Sequence, residues 1–380
     1  MNYLFSITIV VFVLSGCTSD EALHLYNAKL VGQFSMVIPP DSKPILNSSK
    51  YLSSENAIYG LNFDNQSIYI NYLDDGASKY EKIRLAEEGP SGIGIAYSLS
   101  VHSKDSIFLT TGVGTGELSV LNRSGDLVEN LKYDFGETQM SDFTALRNRD
   151  QKDVIIYRDS LLFFPQRVPF RGSRPQEIKH KPIGRYDLAT GTYSLVDFEY
   201  PTEYWDQKLL NSFSFAGDEE YLYFGLAAQN FIWEIDIENN TSKKIFMKSS
   251  YFPEEFKGEE DFNDVYERTD FLVTQPKYSS ILIDPYRDLI YRIAIIPYED
   301  DAYSKSKSVQ LFQYPDVFTV ITCRKNGEYV GEFTFPSITY YPYGMFVNEK
   351  GLNVPKSHPE YLISLGSEDE VEFDVYDLRK

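Results

Sequence analysis

Residues 231–245 read Phe231-Ile232-Trp233-Glu234-Ile235-Asp236-Ile237-Glu238-Asn239-Asn240-Thr241-Ser242-Lys243-Lys244-Ile245. A β-prone run ends in Asp236, a polar turn follows at Glu238-Asn239-Asn240, and a second run leaves from Thr241. Aromatic and β-branched side chains suit a pleated, half-buried surface, and Asn supplies the positive φ that a tight hairpin needs. The plan recurs. Leu118–Asn122 turns at Arg123-Ser124-Gly125-Asp126 into Leu127–Leu131, and Gly184–Asp187 turns at Ala189-Thr190-Gly191 into Thr192–Val196. Val320–Cys323 turns at Lys325-Asn326-Gly327 into Glu328–Phe333. Helical periodicity is nearly absent, while short apolar runs bounded by Gly, Asn, Asp or Pro fill the chain.

These turns stand near residues 76, 125, 191, 240, 327 and 367, a mean step of about 58 residues. Repeats of roughly 40–50 residues with four strands each are the signature of propeller blades, and longer steps hold inserted loops. The fold expected is all-β: a single β-propeller of six four-stranded blades, at roughly 50–88, 95–137, 150–200, 210–248, 270–335 and 338–378. Lys29–Pro39 precedes the first blade and is expected to add an outer strand to the last, closing the ring so that no sheet edge stays open. The competing architecture is a β-sandwich followed by a second β domain, but no linker interrupts the chain.

The amino-terminal box Leu14-Ser15-Gly16-Cys17, the stretch Glu87-Glu88-Gly89-Pro90-Ser91-Gly92-Ile93-Gly94 and the following Asp105-Ser106-Ile107-Phe108-Leu109 together resemble a family of Bacteroidetes lipoproteins known as domain-of-unknown-function family 4221. The resemblance covers about residues 25–378. It implies a six-bladed propeller in the cell envelope, and it brings no activity and no catalytic residue with it.

The amino-terminal segment agrees with that location. Leu4–Leu14 is an apolar run of 11 residues, too short to span a bilayer and suited to a signal peptide. It ends in Leu14-Ser15-Gly16-Cys17, which resembles the lipobox of bacterial lipoproteins, although no Lys or Arg precedes it. The division expected is signal peptide 1–16, lipidated tether 17–27 and propeller 28–380, with diacylglycerol and palmitate-type acyl chains on Cys17. Several chains per anchor hold a protein on a membrane, each buried methylene adding about 0.8 kcal/mol. Thr18-Ser19-Asp20-Glu21 resembles the surface-export signal of Bacteroidetes lipoproteins. Outer-membrane attachment with surface display is therefore expected, the periplasmic face being the other leaflet open to it.

Composition narrows function by exclusion. With 36 Lys+Arg against 56 Asp+Glu the net charge is −20, which argues against nucleic acid as a partner, since phosphate contacts need clustered cations. With Cys17 acylated, Cys323 has no disulfide partner and is expected to be a buried free thiol. His24, His102, His180 and His358 are scattered, and no HExxH or CxxC pair is present, so neither a metal nor a cofactor is expected. Gly112-Val113-Gly114-Thr115-Gly116 leads into a strand rather than a helix, and so reads as a turn, not a phosphate loop. The acidic run Glu254–Asp264 reads as a solvated loop. No Gly-x-Ser-x-Gly elbow exists.

Two segments remain as candidate contacts. Arg167, Arg171 and Arg174 lie in a basic island between two strand runs, where guanidinium forks would suit carboxylates of a ligand or of the protein itself. Tyr204 and Trp205 lie in an aromatic loop after the third blade, placed either to stack on a ligand or to pack between blades. The function expected is non-catalytic binding, by a monomer, of a glycan, peptide or envelope protein. The alternative is an envelope enzyme, a polysaccharide hydrolase or lyase, with paired carboxylates at the channel.

Overall fold

The computed structural model describes residues 28–43, 49–73, 79–89, 92–111, 117–132, 154–165, 181–210, 212–259, 262, 264–298, 305–336, 338–366 and 369–378. Cys17, Gly112–Gly116 and the island of Arg167, Arg171 and Arg174 lie outside the described residues.

The chain forms six four-stranded antiparallel sheets in a ring, a six-bladed β-propeller. Blade 1 holds β2 (Ser49–Leu52), β3 (Ala57–Leu61), β4 (Ser67–Tyr72) and β5 (Lys79–Arg84). Blade 2 holds β6 (Ala96–Ser103), β7 (Ser106–Thr111), β8 (Glu117–Leu121) and β9 (Leu127–Lys132). Blade 3 holds β10 (Ile155–Tyr157), β11 (Leu161–Pro165), β12 (Ile183–Asp187) and β13 (Thr192–Leu195). Blade 4 holds β14 (Phe213–Gly217), β15 (Tyr221–Leu226), β16 (Phe231–Asp236) and β17 (Thr241–Phe246). Blade 5 holds β18 (Lys277–Asp284), β19 (Leu289–Ile295), β20 (Phe318–Arg324) and β21 (Tyr329–Phe335). Blade 6 holds β22 (Phe346–Asn348), β23 (Gly351–Pro355) and β24 (Glu370–Asp377), completed by β1 (Lys29–Val37). The expected blade bounds enclose the observed strands of blades 2 to 5, miss blade 1 by Ser49 alone, and enclose three strands of blade 6, whose fourth is β1.

Ring closure follows the expectation. β1 pairs antiparallel with β24 from Lys29↔Asp377 to Val37↔Glu370 and forms the outer edge of blade 6. A side-chain bond from Gln33 Nε2 to Asp374 Oδ1, 2.6 Å long, reinforces the seam. The first strands of neighbouring blades, such as β14 with β18 and β2 with β6, pack around the axis.

The core is a set of layers between blades. Tyr157 and Phe163 of blade 3 meet Phe215 and Phe224 of blade 4. Tyr291 and Val320 of blade 5 meet Leu352 and Tyr376 of blade 6, and comparable layers fill the other four junctions. Because each sheet is covered on both faces, its middle strands read as continuous apolar runs; all seven residues of β19 are buried.

The hairpin turns use side chains as the sequence implies. Asp187 accepts from the backbone N–H of Ala189 and Thr190, Asp236 from Glu238 and Asn239, and Asn122 from Ser124 and Asp126. These Asx bonds nucleate the turn locally. Gly125, Gly191, Asn240 and Gly327 take the positive φ. The turn near 76 lies outside the described residues, and the turn near 367 differs: Gly366 ends a helix there. The third-to-fourth-strand turn of blade 6 does not exist as continuous chain, because β1 supplies the fourth strand.

Among the described residues stand four short α-helices that were not expected: α1 (Thr202–Asp206), α2 (Val265–Thr274), α3 (Lys305–Gln313) and α4 (Pro359–Leu365). They sit in connections between blades or between the second and third strands of a blade. Strand register brings all such connections out at one end of the ring, the helix-bearing face. Among the described residues, the connections from first to second strand, and from third to fourth strand in blades 2 to 5, are short turns on the opposite face.

Candidate functional site

The two faces differ in how their polar groups are spent. On the short-turn face, the first turn of one blade pairs with the outer turn of the next. Glu55 of blade 1 meets Arg123 of blade 2 at 2.8 Å, Arg158 of blade 3 meets Glu238 of blade 4, and Asp218 of blade 4 meets Lys325 of blade 5 at 2.9 Å. Arg287 of blade 5 reaches Asp377 of blade 6 at 3.6 Å and donates to the carbonyls of Asn348 and Glu349. Buried tyrosines feed this rim. The third residue of the second strand is Tyr59, Tyr223 or Tyr291 in blades 1, 4 and 5, donating to Glu55, Asp218 and Asp284 at 2.5, 3.4 and 2.7 Å. Blades 2 and 3 carry Phe108 and Phe163 at that position. A phenol needs a buried acceptor and a phenyl ring does not.

The ring encloses a central cavity of about 210 Å³, lined by first strands of five blades. Lys50 and Tyr51 of β2 supply its titratable groups, and Ile155, Gly217, Ile283 and Phe346 form apolar wall. The Tyr51 ring stacks on Phe346 at 4.7 Å between centroids, and its hydroxyl donates to Asn56 Oδ1 at 3.0 Å. Burial, helped by Tyr286 and Glu349, raises its pKa and keeps it a neutral phenol. The described lining of this cavity includes no carboxylate. Among the described residues no cluster of three or more His, Cys, Asp or Glu is arranged to hold a metal ion.

The helix-bearing face carries the long connections. α2 opens at Asp264, whose carboxylate accepts from the backbone N–H of Tyr266 and Glu267. α4 opens at His358 and ends at Gly366 in the left-handed region. Lys307 of α3 pairs with Glu360 of α4 at 3.3 Å. Apolar side chains stand exposed on this face, among them Val265, Tyr266, Ile363 and Leu365. Asp264-Val265-Tyr266-Glu267, with an acidic cap and Glu three residues on, and His358-Pro359-Glu360 with Gly366 closing, were the sequence signals for these helices.

The residues singled out from sequence separate as follows. Tyr204 is a core residue, 1% exposed; its hydroxyl donates to the Leu210 carbonyl and accepts from the Ala228 N–H. Its ring packs edge-on to Tyr200, so the aromatic loop fills the junction between blades 3 and 4, and Tyr204 presents no surface to a ligand. The Trp205 side chain lies outside the described residues, as do Arg167, Arg171 and Arg174. Pro165 and Ile183, which flank the arginine island, pair at the helix-bearing end of blade 3. Cys323 is a free, fully buried thiol.

Comparison with known proteins agrees with this geometry. The family model described as "Domain of unknown function (DUF4221)" matches residues 36–322. A solved member of that family from Bacteroides vulgatus is 20% identical, covers 93% of this chain and 98% of its own, and superposes with a TM-score of 0.76. A protein described as exported, from Bacteroides fragilis, is 10% identical, with 95% and 98% coverage and a TM-score of 0.52. Both likenesses concern the fold. No curated protein matches the chain.

Proposed function

The chain belongs to the DUF4221 family, and from its two unlike faces we propose a non-catalytic binding module of the cell envelope, held to the outer membrane through an acylated Cys17. Its partner is a glycan, a peptide or another envelope protein, met on the helix-bearing face. One observation carries this reading. The chain runs into β1 at Lys29, which pairs with Asp377 at the short-turn end of blade 6. A tether from residue 17 therefore joins the ring on the ion-paired face, and the long connections stand on the opposite side. Twelve residues of extended chain reach about 40 Å, enough to hold the ring off a lipid surface. The exported relative is consistent with an envelope location.

The ligand-contact residues of this reading are Arg167, Arg171 and Arg174, in the connection that leaves and rejoins blade 3 on the helix-bearing face. A rigid ring with variable connections suits recognition, an argument from the fold rather than from a site. The test is binding of the chain from residue 28 onward to glycan and peptide arrays, with and without Arg167→Ala, Arg171→Ala and Arg174→Ala together. Binding lost in the triple variant supports the reading; binding that survives moves the site elsewhere. For the anchor, Cys17→Ala should shift the protein from the membrane to the soluble fraction. Protease added to intact cells distinguishes surface display from the periplasmic leaflet.

A further inference from the structure

α4 begins with an unusual cap. The His358 ring is fully buried, and its Nδ1 accepts the backbone N–H of Glu360 at 3.3 Å. Helix starts need such an acceptor for their first free N–H groups, a task most often given to Ser, Thr, Asp or Asn. An imidazole performs it only while Nδ1 carries no proton, so the neutral ring holds its proton on Nε2. That nitrogen faces Asp316 Oδ1 at 3.7 Å, beyond hydrogen-bond reach. His358 Nε2, Asp316 Oδ1 and the adjacent Ser357 Oγ are all buried with no hydrogen-bond partner.

The ring thus has two alternative arrangements. Neutral, it caps α4 and leaves Asp316 unanswered. Protonated, it has a hydrogen on both nitrogens and loses the bond from Glu360, while the same Nε2–H, now on a cation, is drawn to the Asp316 carboxylate one small shift away. We propose that His358 is a proton-operated cap, holding the start of α4 when neutral and releasing it to pair with Asp316 when charged.

The groups around the ring act in both directions. Burial holds the imidazole below its ordinary value of 6.5. Asp316 and the Tyr314 backbone, from the segment after α3, and Glu360 of α4 favour the charged form, while Lys307 of α3 opposes it. Because the folded value lies below the unfolded one, the cap contributes in full above pH 6.5 and is lost as pH falls through the depressed value. Asp316, itself raised by burial, is the anion that receives the proton-bearing nitrogen. α4 carries Ile363 and Leu365, 75% and 49% exposed, so acidification loosens a part of the helix-bearing face that presents apolar surface.

Amide hydrogen exchange of residues 359–366, corrected for the intrinsic pH dependence, tests this in the chain from residue 28 onward. Between pH 7.5 and 5, protection there should fall at least tenfold more than in β19. His358→Asn caps without titrating and should hold protection level over the same range. Asp316→Asn should move the loss to lower pH, since the imidazolium loses its anion. The ring nitrogen shifts of the unaltered protein give a second reading: proton on Nε2 at pH 8, on both nitrogens at pH 5. Protection that does not change with pH, an equal loss in His358→Asn, or a ring that stays neutral at pH 5 each overturns the proposal.

Discussion

The guanidinium carbon of Arg292 lies 3.5 Å from the centre of the Tyr278 ring, inside the layer between blades 4 and 5. Arg292 is fully buried. Its two terminal nitrogens donate to the carbonyls of Leu226 and Met247, at 2.9 and 3.2 Å, which end β15 and follow β17. One side chain of blade 5 thereby satisfies two backbone groups of blade 4. Burial pulls its pKa down to about 10, still high enough to keep the charge at neutral pH. Tyr278 is held in turn by Asn230 and the Ser249 N–H.

Arg292→Ala removes the stacked cation and leaves two buried carbonyls unpaired beside a cavity. A loss of about 3–5 kcal/mol in unfolding free energy is expected. Arg292→Met fills the volume but leaves the carbonyls unpaired, and should cost about 1–3 kcal/mol. Urea denaturation of the two variants checks the order. Equal stability of Arg292→Met and the unaltered protein would show that the carbonyls find another partner.

The pairs on the short-turn rim are expected to be worth little singly and to act between blades. Asp218 and Lys325 stand 2.9 Å apart with 13% and 28% of their side chains exposed, and Asp218 also takes the Tyr223 hydroxyl. A double-mutant cycle with Asp218→Asn and Lys325→Met should give a coupling of about 1 kcal/mol, shrinking at high salt. Asp218→Asn alone should cost more than Lys325→Met, because it also weakens the acceptor of a buried phenol. Equal single costs would place the tyrosine bond outside the balance.

Much of this architecture was legible because its causes are local. The strand ending in Asp187 or Asp236 writes its own turn through side-chain bonds from the N–H groups two and three residues on, and Gly125, Gly191 and Gly327 mark where the backbone must turn left. Closure by Lys29–Val37 was legible because a strand-like segment before the first blade must find an edge. Tyr204 was ambiguous, since an aromatic loop looks the same whether it packs inward or faces solvent. Only the bonds to Leu210 and Ala228 decide it. Arg292 and Asp316 gave no signal, and His358 signalled a helix start but not its buried carboxylate, because these contacts join partners 42 to 66 residues apart, across a blade boundary or between helix connections. The turn near 367 misled because Gly366 serves a helix end as readily as a hairpin.

Gly125 tests the junction of blades 1 and 2. Its φ is +84°, and a Cβ there would stand 2.6 Å from Ile83 Cγ2 and 3.1 Å from the Arg84 carbonyl oxygen. Gly125→Ala therefore meets both backbone strain and a neighbouring blade. A loss of about 1–3 kcal/mol is expected, read as a lowered melting temperature. Gly191→Ala, whose Cβ would meet only the Tyr186 hydroxyl at 3.7 Å, keeps the strain without the clash and should cost less. Equal losses would assign the whole effect to φ.

Cys323 reports on the same layer as Arg292. Its thiol is fully buried, and burial pushes its pKa up to about 12, so the reactive thiolate is suppressed and its approach blocked. In a Cys17→Ala chain, where Cys323 is the only thiol, a thiol reagent should modify the native protein only as fast as blades 4 and 5 separate. Two regimes are then distinguishable. If labelling follows global unfolding, its rate falls with added stability anywhere in the ring, and Gly125→Ala accelerates it as much as an equally destabilising change beside Arg292. If the layer opens on its own, Arg292→Ala accelerates labelling far more than Gly125→Ala does at matched stability, because the carbonyls of Leu226 and Met247 are the ties that it cuts. Ring closure through β1 and β24 favours the first regime: a blade held at both sides cannot leave without breaking two layers. Fast labelling of the unaltered protein under native conditions would contradict both the burial and the closed ring.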